Sequence, residues 1–355
     1  MTDIREFMTG WFEPDKPHMT AWSKRQKEGL RGTATGKRYV PGFRPFDMLG
    51  EPNQSLVIFE NSDQRIGVEY VTGTRPHFVR NIDFDEMFFQ FCGRSMIETE
   101  FGVYEMKPGE VLNIPAGIAH RSSGTADCAR VFARLNEPLT HLHSPDAHVS
   151  HVEYDVVRHG GPQWTKAATV IDPPKGGEVI EKMICWRDTP EYYTTVRRSY
   201  DALVGASSLE RDAAKSGIAK IRAFDFFTDI TGRRGPGPKI AESRHFVAEV
   251  YNTKGEQFAF HRALRSEEFG LQFRGNAINM SEFDGNLKMT PGDLALVPLG
   301  IAHSVICEED FLRIVLYSRI PWDVKIDPSA HVCHSTFEVK TRVVRAPGWW
   351  ANAAE

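Results

Sequence analysis

The sequence predicts an all-β protein made of two tandem, jelly-roll-like β-barrels joined by a partly helical connector. Three observations predict it. GEVLNIPAGIAH (Gly109 to His120) returns as GDLALVPLGIAH (Gly292 to His303), each behind a Pro-Gly turn, at an offset of 183 residues. DEMFFQFCG, ending at Gly93, aligns with EEFGLQFRG, ending at Gly275, so Glu86 pairs with Glu268 at an offset of 182. Within both copies, short runs rich in aromatic and branched residues are punctuated by Gly, Pro, Asp or Asn, the pattern of a sandwich or barrel.

Element by element, residues 1–50 form an N-terminal extension of low periodicity, with Trp11, Phe12 and Trp22 expected to pack across barrels or a subunit boundary. Residues 51–159 form the first barrel. Residues 160–235 form a more polar connector, with a helix-compatible run at Ser208 to Gly217 and a turn-rich TGRRGPGPK. Residues 236–345 form the second barrel, and 346–355, with Trp349 and Trp350, a packed tail. SPDAHVSH, from Ser144, echoes DPSAHVCH, from Asp327, so the repeat extends beyond one motif.

Composition excludes several classes. Of 355 residues, 43 are Lys or Arg and 47 Asp or Glu, a net charge of −4 that gives no basic excess for nucleic acid or anionic lipid. No apolar run is long enough to span a bilayer, and the acid-bearing N-terminus is unlike a signal peptide, so a cytoplasmic protein is expected. The five cysteines, Cys92, Cys128, Cys185, Cys307 and Cys333, contain no CxxC pair; they are expected to be thiols, neither disulfides nor zinc ligands.

The repeated G-x5-P-x-G-x2-H is similar to the second signature of the cupin superfamily, and both copies match it without a gap. The first signature is present in part, as Glu86 and Gly93 in copy one and His261, Glu268 and Gly275 in copy two. The chain thus resembles a bicupin. More narrowly, NIDFDEMFFQFCGRSMIETEFGVYEMKPGEVLNIPAG and FHRALRSEEFGLQFRG resemble the homogentisate 1,2-dioxygenases and related gentisate- and hydroquinone-type ring-cleaving enzymes, over about residues 50–140 and 240–325. The chain departs from that family where His261 precedes Glu268 by seven positions instead of six. The resemblance implies a non-haem Fe(II) dioxygenase whose partners are an aromatic substrate and dioxygen.

Two histidines and one carboxylate form the facial triad of many iron oxygenases, leaving positions open for substrate and dioxygen. Copy two holds all three, His261, Glu268 and His303. In copy one Val79 and Asn81 stand where His261 and Ala263 stand in copy two, so copy one is expected to be structural, with His120 a relic or core residue. Strand parity favours Glu268 over Glu267, because Glu268 shares a face with Gly270 and Gln272 while Glu267 shares one with Phe269, Leu271 and Phe273. A local bulge would hand the role to Glu267. The alternation also puts Ala263 beside His261, where many cupins carry a second histidine. Arg262 and Gln272 are candidates for substrate contact. His148, His151, His331 and His334 recur in both copies and are expected to be structural. A general base is not identifiable.

Two other readings stay open: a metal-dependent isomerase, epimerase or lyase acting on a small oxygenated substrate, and the metal-bearing large subunit of a two-subunit hydroquinone dioxygenase. A homo-oligomer, or a complex with a small partner subunit, is expected.

Overall fold

The structure is a computed structural model and describes residues 2–9, 40–43, 45–139, 149–150, 177–186, 194–199, 218–222, 239–253, 260–263, 266–281, 285–307, 311–325 and 341–345. It is nearly all β, in two compact units, one comprising residues 46–142 and 148–223 and the other residues 1–45, 143–147 and 224–355. Among the described residues no helix is long and apolar enough to cross a membrane.

The unit with the first copy contains β1 (Gln64–Tyr70), β2 (His77–Asn81), β3 (Asp85–Cys92), β4 (Ser95–Thr99), β5 (Glu110–Ile114), β6 (Ala119–Gly124), β7 (Ala129–Leu135), β8 (Glu178–Ile184) and β9 (Ala219–Arg222). One sheet runs β9-β5-β3-β7-β1, the other β8-β2-β6-β4. The interior is closed by Phe88, Ile97, Phe101, Tyr104, Leu112 and Phe132, all buried. β-Branched and aromatic residues on alternate positions supply that inner face.

The unit with the second copy contains β10 (Phe246–Thr253), β11 (Phe260–Ala263), β12 (Glu267–Arg274), β13 (Ala277–Ser281), β14 (Leu294–Val297), β15 (Ala302–Cys307) and β16 (Phe311–Ser318). Its sheets run β14-β12-β16-β10 and β13-β15-β11, the same orders as β5-β3-β7-β1 and β4-β6-β2. The correspondence reaches individual bonds. Gly109 N donates to Gln90 O and Gly292 N to Gln272 O, at 2.9 and 2.8 Å. A register shift falls between Ala129 and Arg130 on β7, and its counterpart between Gln272 and Arg274 on β12.

The change of offset from 182 to 183 is resolved at one hairpin. Thr99 pairs with Gly102 in the first unit and Ser281 with Gly285 in the second, so the second turn holds one more residue. The insertion therefore lies between Ser281 and Gly285 and leaves the register at Glu268 undisturbed, where β12 pairs residue for residue with β16 from Glu267 to Gln272.

Two expectations about the flanking segments change. The described part of the connector is strand: β8 pairs in parallel with β2, where Arg80 Nε donates to Glu181, and β9 pairs with β5. The helix-compatible run at 208–217 lies outside the described residues, as do the four repeated histidines and the terminal tryptophans. The N-terminal extension contributes strands to the second-copy unit, Thr2–Thr9 in parallel with β11 and Val40–Phe43 against β14. Such pairings at sheet edges need no strong local pattern, only an unpaired row of backbone groups to meet. Cys92, Cys128, Cys185 and Cys307 are free thiols.

Gly93 has φ of 62°, and a Cβ there would stand 2.6 Å from Cys128 Cα. Gly117 has φ of 83° but nothing within 4 Å of the same position. Gly117→Ala should therefore cost only about 1 kcal/mol of left-handed backbone strain, and Gly93→Ala about 2 kcal/mol more than that as strain and clash combine. Urea denaturation of the two variants in parallel measures the difference.

Candidate metal centre

The repeat puts a glutamate and a histidine side by side in each unit. Glu268, near the start of β12, and His303, on β15, are both buried, with Glu268 Oε2 2.9 Å from His303 Nε2. His303 Nδ1 lies 3.2 Å from Ile301 O, and a proton on that nitrogen would leave the Nε2 lone pair available to a metal. β11 and β15 pair antiparallel with His261 directly opposite His303. Two donors bound cis to one ion at about 2.1 Å stand roughly 3 Å apart, the separation between Glu268 and His303. The Glu268–His303 pair therefore fits two positions on a divalent metal, and the backbone register sets residue 261 opposite His303.

The parity argument for Glu268 agrees with the geometry. Glu267 faces the other way, its Oε2 accepting from Trp322 N at 2.7 Å, and its neighbour Phe269 meets the Trp322 ring edge to face. Gln272 departs from expectation: its Nε2 donates to Arg274 O and Gly275 O, bracing the turn after β12 as Gln90 does for Cys92 O and Gly93 O. The Gln272 Oε1, unlike that of Gln90, which accepts from Ser95 Oγ, has no partner among the described residues. Arg262 is described by its backbone only; its counterpart Arg80 is held by Glu100, Glu181 and Gly117 O.

In the first unit the same pair is closed by protein groups. Glu86 Oε2 lies 3.2 Å from His120 Nε2 and accepts from Asn81 Nδ2 at 2.9 Å, while Oε1 accepts from Arg134 Nε at 2.8 Å. Burial alone would raise the Glu86 pKa, but the Arg134 charge and the His120 contact outweigh it and hold the carboxyl well below its usual range. Arg134 thus supplies the positive charge there. Its counterpart beside Glu268 is Tyr317, as both registers show. Ala263 replaces Asn81, since Gly300 N donates to Ala263 O as Gly117 N does to Asn81 O.

One layer of the interior is also emptied. Phe88, Leu112 and Phe132 pair across three strands in the first unit, and Gly270, Ala295 and Val315 replace them in the second. The result is a small, half-open pocket, about 30 Å³, in contact with Glu268 and with apolar walls from Val305, Phe311 and Val315. Tyr251, Arg313 and Tyr317 supply its other polar groups. Tyr251 Oη donates to Glu249 Oε2 at 2.9 Å and lies 3.3 Å from Tyr317 Oη. Burial, followed by the Glu268 charge, pushes the Tyr317 hydroxyl well above its ordinary pKa, so it stays protonated. These residues carry no motif; substitution between otherwise matched repeat positions is the signal that marks them.

Because the folded Glu86 pKa is depressed, its ion pair contributes stability above the usual carboxylate value of about 4.5 and loses it as pH falls through the folded pKa. Arg134→Met should destabilise the first unit by about 1–3 kcal/mol at pH 7, less than a fully buried pair because Arg134 is partly exposed, with the deficit shrinking in acid. Denaturation at pH 7 and pH 4 checks both the size and the sign.

No protein-family model matches the sequence, and no curated protein does. Solved structures do. A cupin 2 conserved barrel domain protein from Leptotrichia buccalis covers 79% of this chain and 98% of its own at 11% identity and a TM-score of 0.44. A mutant form of Bacillus subtilis oxalate decarboxylase OxdC covers 82% and 80% at 10% identity and 0.43. Protein Ylba from E. coli covers 85% and 99% at 9% identity and 0.41. At such identities and TM-scores these likenesses transfer neither substrate nor chemistry to this chain.

Proposed function

We propose that the protein is a metal-dependent cupin enzyme, a non-haem Fe(II) dioxygenase that opens the ring of an aromatic bearing two hydroxyls, and that the second-copy unit does the chemistry. The observation that carries the proposal is the buried Glu268–His303 pair at 2.9 Å, with His261 in register, beside a pocket at the layer that Phe88, Leu112 and Phe132 fill in the sister unit. The choice of iron and of ring cleavage rests on the sequence resemblance.

His261, Glu268 and His303 would hold the metal, which when bound supplies Lewis acidity and open positions for substrate and dioxygen. The chain's own part is positioning, dryness and proton transfer. The Ile301 carbonyl would favour the His303 tautomer that leaves Nε2 free to ligate. Val305, Phe311 and Val315 exclude water from the ring's environment. A substrate hydroxyl next to Glu268 meets Tyr317, whose proton is directed to Tyr251 Oη because the Tyr251 proton already goes to Glu249 Oε2. A proton leaving the substrate at Tyr317 Oη therefore moves along Tyr317 and Tyr251 to Glu249, which acts as its acceptor.

Protein purified under nitrogen should carry one iron per chain and consume oxygen with a para-dihydroxybenzene. His303→Ala and Glu268→Gln should weaken metal retention by at least about 100-fold, more than is lost with an outer-sphere partner. Glu267→Gln and His120→Ala should retain the metal, as read by metal analysis of dialysed protein. Equal metal loss in both pairs would move the site. Metal without oxygen uptake across a panel of dihydroxybenzenes would favour the isomerase or lyase reading.

Tyr251→Phe removes the central hydroxyl of the proton path without touching the metal donors. Its kcat should fall about 100-fold, the contribution of one positioned proton-transfer group, at unchanged metal content. Steady-state oxygen uptake at saturating substrate measures it.

A further inference from the structure

The pocket beside Glu268 differs from the matched place in the sister unit in the chemistry of its walls as well as in its volume. Glu69, on β1, Ser122, on β6, and Cys128, just before β7, correspond by register to Tyr251, Val305 and Phe311. In the first unit all three carry polar contacts: Arg130 Nε donates to Glu69 Oε1, Arg130 Nη2 to Ser122 Oγ, and Gln90 Nε2 lies 3.3 Å from Cys128 Sγ. In the second unit a phenol, an isopropyl group and a phenyl ring stand there, and with Val315 they line the pocket from β10, β15 and β16. Bulk has been removed and the walls around the gap have been made apolar together.

The polar groups that remain are engaged or turned to the backbone. Glu268 Oε2 is 2.9 Å from His303 Nε2, and the Tyr251 hydroxyl donates to Glu249 with Tyr317 Oη 3.3 Å away. Arg313, on β16, is 2% exposed; its Nη1 donates to Asn279 Oδ1 at 3.3 Å, while Nε and Nη2 have no hydrogen-bond partner among the described residues. A Cβ on Gly270 would stand 2.0 to 2.4 Å from Arg313 Nη2, Nε and Cζ, so that edge of the guanidinium lies against the β12 backbone at the missing side chain.

Size narrows the guest. The pocket measures about 30 Å³ and is half-open. One water needs about 10–15 Å³ of such space, and an apolar cavity that takes benzene has about 150 Å³. The room therefore suits a molecule of about two heavy atoms and falls short of an aromatic ring. Water gains little among apolar walls, because it needs two or more polar partners to be held, whereas a molecule that water solvates poorly gains by leaving it. Of the two reactants in the proposed function, dioxygen has that size and that lack of polarity.

We propose that this pocket is a docking site for dioxygen away from the metal donors, in which Val305, Phe311 and Val315 hold the gas beside Glu268 and set the KM for dioxygen separately from the KM for the aromatic. The inference rests on the dioxygenase reading and adds a place where the second substrate gathers. No bond forms or breaks there. The site acts by raising the local concentration of an apolar reactant next to the donors, a gain in proximity that the filled sister unit has no room to provide.

Xenon, an apolar atom that enters dry cavities, is the probe. Crystals of the full-length protein are held under xenon pressure, and metal-loaded protein is assayed for oxygen uptake over a range of dioxygen concentrations. Xenon should appear against Val305, Phe311 and Val315. Val315→Ile adds one methylene to that space; it should lose the xenon and raise the KM for dioxygen about tenfold, the effect of one methylene in a tight apolar site, at unchanged metal content. Val305→Ser is the second variant, since it adds no bulk: it restores the sister unit's residue, makes the wall polar and should lose the xenon as well. An unmodified protein without xenon in the pocket, xenon retained by both variants, or a KM for dioxygen that Val315→Ile leaves unchanged overturns the proposal. A rise in the KM for the aromatic alone also overturns it and makes the pocket a site for an apolar part of that substrate. Xenon in the pocket of protein that consumes no oxygen with any dihydroxybenzene would sink the dioxygenase reading, and dioxygen as the guest with it; oxygen uptake by protein that takes up no xenon would sink the pocket and leave that reading standing.

Discussion

A carboxylate buried in the wall of a β-barrel must be given a positive charge, and the way each unit meets that requirement organises the rest of the protein. At effective protein dielectrics an isolated buried carboxylate would protonate instead of remaining charged. In the first unit Arg134 and Asn81 settle Glu86 and His120 into a closed network, so the interior around them can be filled. In the second unit the matched positions are Tyr317 and Ala263, neither of which brings a charge to Glu268. On the proposed function, a divalent cation at Glu268 and His303 would supply there what Arg134 supplies in the sister unit. The same sequence motif is thus closed by an arginine in one copy and faces a tyrosine in the other, and the deciding residue is outside the motif.

The duplication acts as an internal control for reading function from structure. Strand order, the turn brace of Gln90 and Gln272, and the register shift beside it are shared, so they belong to folding. The differences fall together on one side of the barrel interior: Phe88, Leu112 and Phe132 become Gly270, Ala295 and Val315, while the Glu69 and Ser122 partners of the buried arginine become Tyr251 and Val305. Loss of packing volume and loss of polar partners at one place is the signature of a space meant for something other than protein.

Much of this is legible in the sequence. The repeat, the two His–Glu pairs and the preference for Glu268 follow from spacing and strand parity, because both are set by backbone geometry that a one-residue insertion in a hairpin does not disturb. Gln272 escapes the same reasoning: parity says which face a residue is on, not whether its amide is already engaged by the turn next to it. The strand at Thr2–Thr9 and the strands of the connector are not legible, since edge pairing is decided by which backbone groups remain unpaired after the barrel forms. In the sequence Arg313 is one more charge in a strand. Its meaning comes from two non-local facts, the loss of Glu69 and Ser122 equivalents and the missing side chain at Gly270, which a single chain position does not display.

The second unit carries costs that folding alone would not favour. Truncating a packed Leu or Phe to Ala costs about 2–5 kcal/mol in a typical core, and the second unit has three such reductions in one layer relative to its sister. Leaving two guanidinium donors idle adds a penalty of the order of 1–3 kcal/mol for each unsatisfied buried group. The framework can carry these because its strand orders and turns are the same as in the filled unit. On the proposed function, a metal held by Glu268, His303 and His261 would bind the folded state alone and offset part of that cost. The thinned layer and the arginine whose Nε and Nη2 have no partner among the described residues thus fall at one place in the second unit, where the sister unit is filled by Phe88, Leu112 and Phe132 and paired through Arg130.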